Sequence, residues 1–415
     1  MDVCLVSMPQ APLQAPSPAL GLLKAVLQRD GIEAKVFHAG FWFLEFVDPV
    51  DYVQIQAVRL ADCVFDWLFA GAAFPEHRPD EDLYLSGMMR RSFDLGGRNP
   101  DEIRAQFSEI RKRIPEFVEE AAKRILSFSP RIVGCTSTFQ QQVSSLALLR
   151  RIREMDPSIV TMMGGPNCET VMGRTTHESF PWVDYVVSGE ADGCISGLCR
   201  KILEVGREAR PSDLPEGVFG PVHRQVGYPS GETRDGLPSA VVPSLADLPI
   251  PDYDDYFEQL HGSPLKDLIL PAIPVESSRG YWWGQCRFCG LNGCARTFRA
   301  KPPAKVAAEI ETLVERYGST RIALTDNVLD LDHFDSLLPR LASLGKELQI
   351  FCEIRTDLGR SQVEQLRAAG IRSVIAGVES LHSEALGLMN KGISAWQNVQ
   401  ALKWLRQYGI VAGWN

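Results

Sequence analysis

Apolar residues along the chain fall into short runs separated by longer stretches of helical spacing, and this rhythm occurs in two blocks. In the first, Val3–Met8 is a short apolar run, Ala19–Arg29 places its apolar residues three and four apart, and Ala34–Phe37 is extended again. The pattern resumes with Ile132–Thr136, a helix over Val143–Met155, Ile159–Met163 closed by Gly164-Gly165, and Tyr185–Ser188 closed by Gly189-Glu190. Strands this short, joined through helices, predict parallel pairing with right-handed crossovers, which is an α/β, doubly wound, flavodoxin-like domain over about 1–205. An insert at about 40–130 begins with Phe41, Trp42, Phe43 and Phe46 and becomes heptad-like from Ile103 to Leu126, so it is expected to be mostly helical.

Prolines then punctuate the chain at 211, 215, 221, 229, 238, 243, 249 and 251, which predicts a linker over 206–260 with at most a small hairpin. The second block follows. Strands are expected at Leu268–Val275, Arg321–Thr325, Leu348–Glu353, Ser373–Gly377 and Val411–Trp414, with helices at Pro303–Tyr317, Leu331–Leu344, Ser361–Ala369, Ser383–Met389 and Trp396–Tyr408. Strand–helix pairs at this spacing suit a barrel or part-barrel, whose chemistry sits at the carboxyl ends of its strands.

Composition narrows the partners. The 415 residues are 45% hydrophobic and 23% charged, enough for two or three cores, and the net charge of −9 with a pI of about 5.4 argues against nucleic acid or anionic lipid as the main partner. No apolar run reaches the roughly 18 residues of a membrane span. Ten cysteines are scattered without the density of a disulfide framework, so a cytoplasmic protein with mostly reduced thiols is expected.

Two of those cysteines carry chemistry. Cys286 and Cys289, three positions apart on a loop after an apolar strand, are spaced so that both sulfurs can reach one metal centre. Half of a zinc knuckle would share this spacing, but no second pair follows at zinc-ribbon distance. Cys294 is the remaining local thiol, either a third ligand or an apolar filler. Asp326-Asn327 ends one predicted strand, where polar groups would meet a ligand's ammonium or cap the next helix. Glu353 and Arg355 lie on one side by strand alternation, as ligand contacts or a resting ion pair.

The stretch Arg-Gly-Tyr281-Trp-Trp-Gly-Gln-Cys286-Arg-Phe-Cys289-Gly-Leu-Asn-Gly resembles the cluster loop of cobalamin-binding radical S-adenosylmethionine (SAM) enzymes, in particular those that mature ribosomally made peptides (RiPP maturation). The resemblance implies a [4Fe–4S] cluster on three cysteines, with one iron open to S-adenosylmethionine. Cys286 and Cys289 match the second and third cysteines, and Tyr281 stands in the place of the first, a hard oxygen donor where a soft thiolate is expected. It further implies that Asp326 and Asn327 contact the methionine moiety, that Glu379 with Ser380 holds ribose hydroxyls, and that Met389-Asn-Lys391-Gly392 follows in the family's style. The second block becomes an incomplete (β/α)6 radical SAM partial TIM barrel over 261–415. Family members continue through a sixth strand, so the chain reads as truncated at Asn415, with an open edge at Val411–Trp414.

For the first domain, ligand contacts are expected at the carboxyl ends of the strands: Ser7-Met8, Ser137-Thr138-Phe139, Gly164-Gly165-Pro166-Asn167 and Ser188-Gly189-Glu190. Adjacent glycines let backbone lie flat against a large planar ligand. With Met172-Gly173 they resemble a cobalamin-binding loop, while the Asp-x-His-x-x-Gly signature of a cobalt-ligating histidine is absent, which implies cobalamin with its own base displaced and no histidine replacing it. The function implied is cobalamin-dependent radical C-methylation of a precursor peptide, with a flavodoxin or ferredoxin as reductant. The alternatives are a degenerate cobalamin-binding partner or sensor, and methyl transfer by a polar route.

Overall fold

Strands buried on both faces must be apolar throughout, and the first block supplies five of them. A computed structural model describes every residue except 78, 92–98, 234, 291–296 and 415. It places β1 (Val3–Ser7), β2 (Ala34–His38), β3 (Ile132–Thr136), β4 (Val160–Gly164), β5 (Tyr185–Val187) and β6 (Val218–Phe219) in one sheet of order β2-β1-β3-β4-β5-β6. The first five run parallel and β6 is antiparallel to β5. This 2-1-3-4-5 order is flavodoxin-like, with its switch point between β1 and β3.

The insert is helical: Pro49–Gln56, Val64–Ala73, Glu81–Arg91 and the long helix Pro100–Leu126. The long helix buries Ile103, Phe107, Ile110, Ile114, Phe117 and Val118 at the three-and-four spacing read from the sequence. Phe117 meets Phe43 edge-on at 4.9 Å between ring centres.

The chain divides into two units, Met1–Leu13 with Ala19–Val242 and Pro251–Asp267, and Gln14–Pro18 with Pro243–Ile250 and Leu268–Asn415. Much of the proline-rich stretch expected as a linker therefore belongs to the first unit. It contributes β6, and its helix Asp254–His261 seals the edge of β2. There Asp255 accepts from Val36 N (2.8 Å), while Gln259 accepts from His38 N (2.9 Å) and donates to Val36 O (3.0 Å). Side chains thus pair the groups that an edge strand leaves bare.

In the second unit, β7 (Ile273–Val275), β10 (Arg321–Leu324), β11 (Gln349–Ile354), β12 (Ile371–Ala376) and β13 (Val411–Trp414) form a parallel five-stranded sheet in chain order. A small antiparallel pair, β8 (Ser278–Arg279) with β9 (Arg299–Ala300), brackets the cysteine loop. Two elements differ from expectation. The run from Leu268 pairs only from Ile273, and Leu268 and Leu270 are exposed. The helix expected at Leu331–Leu344 is split into a 3-10 turn, Leu331–Phe334, and a helix, Leu337–Ser343, because Pro339 has no N–H to continue the ladder. Among the described residues no helix is long and apolar enough to cross a membrane.

Candidate functional site

In the first unit the strand-end loops are knitted to one another. Ser137 N donates to Gly164 O (2.8 Å), Asn167 N donates to Ser137 O (3.1 Å), and Asn167 Nδ2 donates to Ser137 Oγ (3.0 Å) and Phe139 O (2.8 Å). Gly165 has φ +96°, and a Cβ there would lie 2.7 Å from Ser137 O, so glycine is required where these two loops cross. Pro166 starts the short 3-10 turn that delivers Asn167. Thr138 N is held by Gln141 Oε1 (3.1 Å).

Several of these strand-end residues point inward. Ser7 and Met8 are buried, and Gln141 Nε2 donates to both Ser7 Oγ (3.2 Å) and Met8 O (2.6 Å). Ser188 is fully buried, its hydroxyl accepting from Thr170 N (2.8 Å) and donating to Pro238 O (3.2 Å). Gly189 has φ +98° and lies against Ala240, and Glu190 Oε2 accepts from Val242 N (2.8 Å). These three residues anchor the proline-rich segment. No local pattern signals this, because the partners Pro238, Ala240 and Val242 are some 50 positions away. Phe139, Val171 and Met172 are the exposed apolar residues of the β3 and β4 loops. His38, at the carboxyl end of β2, is buried edge-on to Tyr256, and burial pushes its pKa down to about 3, so it is neutral.

In the second unit the cysteine loop is docked on the segment after Leu388. Arg287 N donates to Met389 O (2.9 Å), Trp283 Nε1 to Asn390 O (3.3 Å), and Asn390 Nδ2 to Gln285 O (3.0 Å). Gly392, at φ +73°, lies flat beneath Trp283, since a Cβ would come 2.3 Å from the ring. The guanidinium of Arg355 packs 4.4 Å from the centre of Trp283 and 5.4 Å from that of Trp282. Arg355 pairs with Asp357 (2.9 Å) and donates to Lys391 O (3.2 Å). The resting pair with Glu353 does not form. Glu353 projects to the open face of β11, where burial alone raises its carboxyl. Two donors beside the loop, Arg355 Nη1 and Trp282 Nε1, are buried without hydrogen-bond partners among the described residues.

Cys286 is buried and Cys289 half-buried, with Cys289 N donating to Cys286 O (3.3 Å). Burial raises the Cys286 thiol against the pull of Lys391 and Arg355. The Tyr281 phenol is raised by burial too, against Arg355. Cys294 lies outside the described residues. Among those described, no group of three His, Cys, Asp or Glu side chains could hold a metal ion.

Asp326 turns inward. Its Oδ1 accepts from Ser277 N (2.8 Å) and Ser278 N (2.6 Å), and Oδ2 accepts from Ser277 Oγ (2.6 Å), which also meets His333 Nε2 (2.8 Å). Burial pushes its pKa up to about 6 despite three donors. It clamps the start of the cysteine loop, while its neighbour Asn327 is exposed and donates to Gly280 O (3.2 Å). Glu379, at φ +60°, is paired with Lys391 (3.0 Å), and Ser380 takes the N–H of His382 (3.1 Å). Asn398, fully buried, ties the strand ends together through Thr356 Oγ1, Val378 O and Ser380 O. His333, Asp357 and Asn398 were missed from the sequence, having no motif to mark them.

Comparison with known proteins agrees with this geometry. Residues 283–414 match the Radical SAM superfamily model. An uncharacterised methyltransferase of Pyrococcus horikoshii is 26% identical over 337 residues, which cover 79% of this chain and 66% of that protein. The anaerobic magnesium-protoporphyrin IX monomethyl ester cyclase of Rubrivivax gelatinosus is 26% identical over 308 residues, covering 71% of this chain and 52% of the cyclase. The chain thus spans about half to two thirds of the length of these relatives. Among solved structures, the cobalamin-dependent S-adenosylmethionine radical enzyme OxsB superposes over the whole chain with TM-score 0.64 at 14% identity, covering 49% of OxsB. The radical S-adenosylmethionine methyltransferase TsrM from Kitasatospora setae does so with TM-score 0.61 at 15% identity, covering 69% of TsrM. Residues 283–414 thus match the Radical SAM superfamily, and the chain has the same fold as OxsB and TsrM.

Proposed function

We propose that this protein is a cobalamin-dependent radical S-adenosylmethionine enzyme of the methyltransferase type, acting on a ribosomally made precursor peptide. One observation carries the reading: a flavodoxin-like sheet with an exposed apolar rim at its strand ends shares the chain with a parallel sheet whose strand ends carry a docked Cys-x-x-Cys loop. OxsB and TsrM, whose structures hold cobalamin, support it. The peptide substrate rests on the resemblance of Tyr281–Gly293 to the peptide-maturing group.

The residues present fit the cofactors unequally. The apolar rim, with no accessible histidine at the described strand ends, suits cobalamin whose own base is displaced. Cys286 and Cys289 would supply two thiolates to an iron–sulfur cluster, and Cys294 is the candidate third. The partnerless donors Arg355 Nη1 and Trp282 Nε1 suit an acceptor such as the carboxylate of S-adenosylmethionine. When bound, a cluster would supply one-electron reduction of S-adenosylmethionine, with a flavodoxin or ferredoxin as the electron source, and cobalamin would supply a carrier for the methyl group.

The chain's own residues place and shield. Trp282 and Trp283 cover Arg355 and exclude water from the base of the loop. Asp326 fixes where the loop leaves β7, and Lys391 holds Glu379 at the end of β12. Glu353, which makes no ion pair among the described residues, is available on the open face to a cationic or hydroxyl-bearing ligand. The test is iron and cobalamin content after anaerobic reconstitution, followed by mass spectrometry of a candidate peptide with methyl-labelled S-adenosylmethionine. Label transfer to the peptide is expected, and cofactor-loaded protein that releases the label only to water or a small thiol would reject the peptide reading.

A further inference from the structure

Phe139 is placed where a buried-core account cannot explain it. The first unit buries Phe37, Phe43, Phe65, Phe69 and Phe219, yet Phe139 is 68% exposed. Its backbone is also strained, with φ +49°, a left-handed conformation that a bulky L-residue rarely adopts. Such strain persists only where the surroundings over-determine it, and it concentrates at ligand sites.

Its neighbours in sequence are anchored, Thr138 N to Gln141 Oε1 and Gln140 N to Gln10 Oε1 (3.3 Å), and its own carbonyl is held from the adjoining loop. Asn167, from the neighbouring loop, donates through Nδ2 to Phe139 O and to Ser137 Oγ, while its own N–H bonds Ser137 O. A carbonyl can only accept, so the amide must present its nitrogen to Phe139 and its orientation is fixed. Gly165 permits the close crossing on which the clamp depends. The location is equally specific: Phe139 lies just beyond β3, which flanks the β1/β3 switch point where doubly wound sheets bind ligands. Next to it in strand order, Thr170 is a second left-handed non-glycine (φ +47°), pinned by Ser188 Oγ and followed by Val171 and Met172, which are 52% and 49% exposed.

We propose that Phe139 is an affinity-determining contact for a broad, flat corrinoid, and that Asn167 is the positioning residue that holds its ring out in the strained conformation before the ligand arrives. This rests on the cobalamin reading above and deepens it. Preorganisation of this kind lowers the cost of binding at the expense of the stability of the free protein.

The test uses the full chain and hydroxocobalamin, with affinity from equilibrium dialysis and thermal stability of the free protein measured alongside. Phe139→Gly relieves the left-handed strain, so it is expected to raise the melting temperature of the free protein while weakening cobalamin binding roughly tenfold or more. Asn167→Asp keeps the size but cannot donate, and is expected to weaken binding although the ring remains. The double variant should bind no more weakly than Phe139→Gly alone, because Asn167 acts through Phe139. Wild-type affinity in Phe139→Gly, or additive losses in the double variant, would overturn the inference while leaving the cobalamin reading in place. Failure of the wild-type chain to retain hydroxocobalamin would overturn both.

Discussion

Replacing Asp326 by Asn should make the protein's stability less dependent on pH without opening the cysteine loop. The carboxyl is 4% exposed, and its pKa is raised from 3.8 to about 6 by burial. Because the folded value exceeds the unfolded one, the folded state binds the proton more tightly, and the stabilisation this brings is lost as pH rises through about 6. With those two values, wild type should be roughly 1 kcal/mol more stable at about pH 5 than at about pH 7.5 on account of this one group. An Asn side chain keeps Oδ1 for Ser277 N and Ser278 N, and its Nδ2 can donate to Ser277 Oγ with the hydroxyl turned towards His333. Asp326→Asn should therefore hold its stability at neutral pH and lose that slope, whereas Asp326→Ala strands three buried donors, at about 1–3 kcal/mol each. Urea unfolding of wild type and both variants at the two pH values, followed by tryptophan fluorescence, provides the comparison. If the difference between wild type and Asp326→Asn were the same at both pH values, or if Asn were as damaging as Ala at neutral pH, the clamp would not work as argued.

Three further substitutions probe the same unit. Gly392→Ala would drive a Cβ to 2.3 Å from the Trp283 ring at φ +73°, and should cost about 2–4 kcal/mol in denaturant unfolding and undock the cysteine loop, seen as faster hydrogen exchange at Arg287 N. Asn398→Ala removes bonds to Thr356, Val378 and Ser380 at a fully buried site, with an expected loss of about 2–4 kcal/mol by the same measurement. Tyr281→Cys exchanges a hard donor for a soft one, and should raise iron and sulfide per chain after anaerobic reconstitution; equal content in both proteins, lost on Cys294→Ala in wild type, would show instead that Cys294 completes the ligand set.

Most strands were legible because parallel strands buried on both faces leave continuous apolar runs between helices, as Val3–Ser7 and Ile132–Thr136 do. The exceptions have local causes. Leu268 and Leu270 looked like strand but lie outside the pairing, and Pro274 is tolerated in β7 because that strand is at the sheet edge. Pro339 broke a helix whose periodicity continued through it. At the site, the loops could be placed but the directions of their side chains could not. Asp326, Ser188 and Glu190 occupy strand-end positions that invite a ligand, yet each is turned to a backbone far along the chain. Strand alternation put Glu353 and Arg355 together, but β11 ends at Ile354, which frees Arg355 to fold under the tryptophans.

The function proposed above joins cobalamin to radical cleavage of S-adenosylmethionine in one chain. Its most direct test is the release of 5′-deoxyadenosine by the anaerobically reconstituted, cobalamin-loaded protein given S-adenosylmethionine and a low-potential reductant. Release that depends on the reductant and is abolished by Cys286→Ala is expected. Protein that holds both cofactors and yet releases none would contradict it.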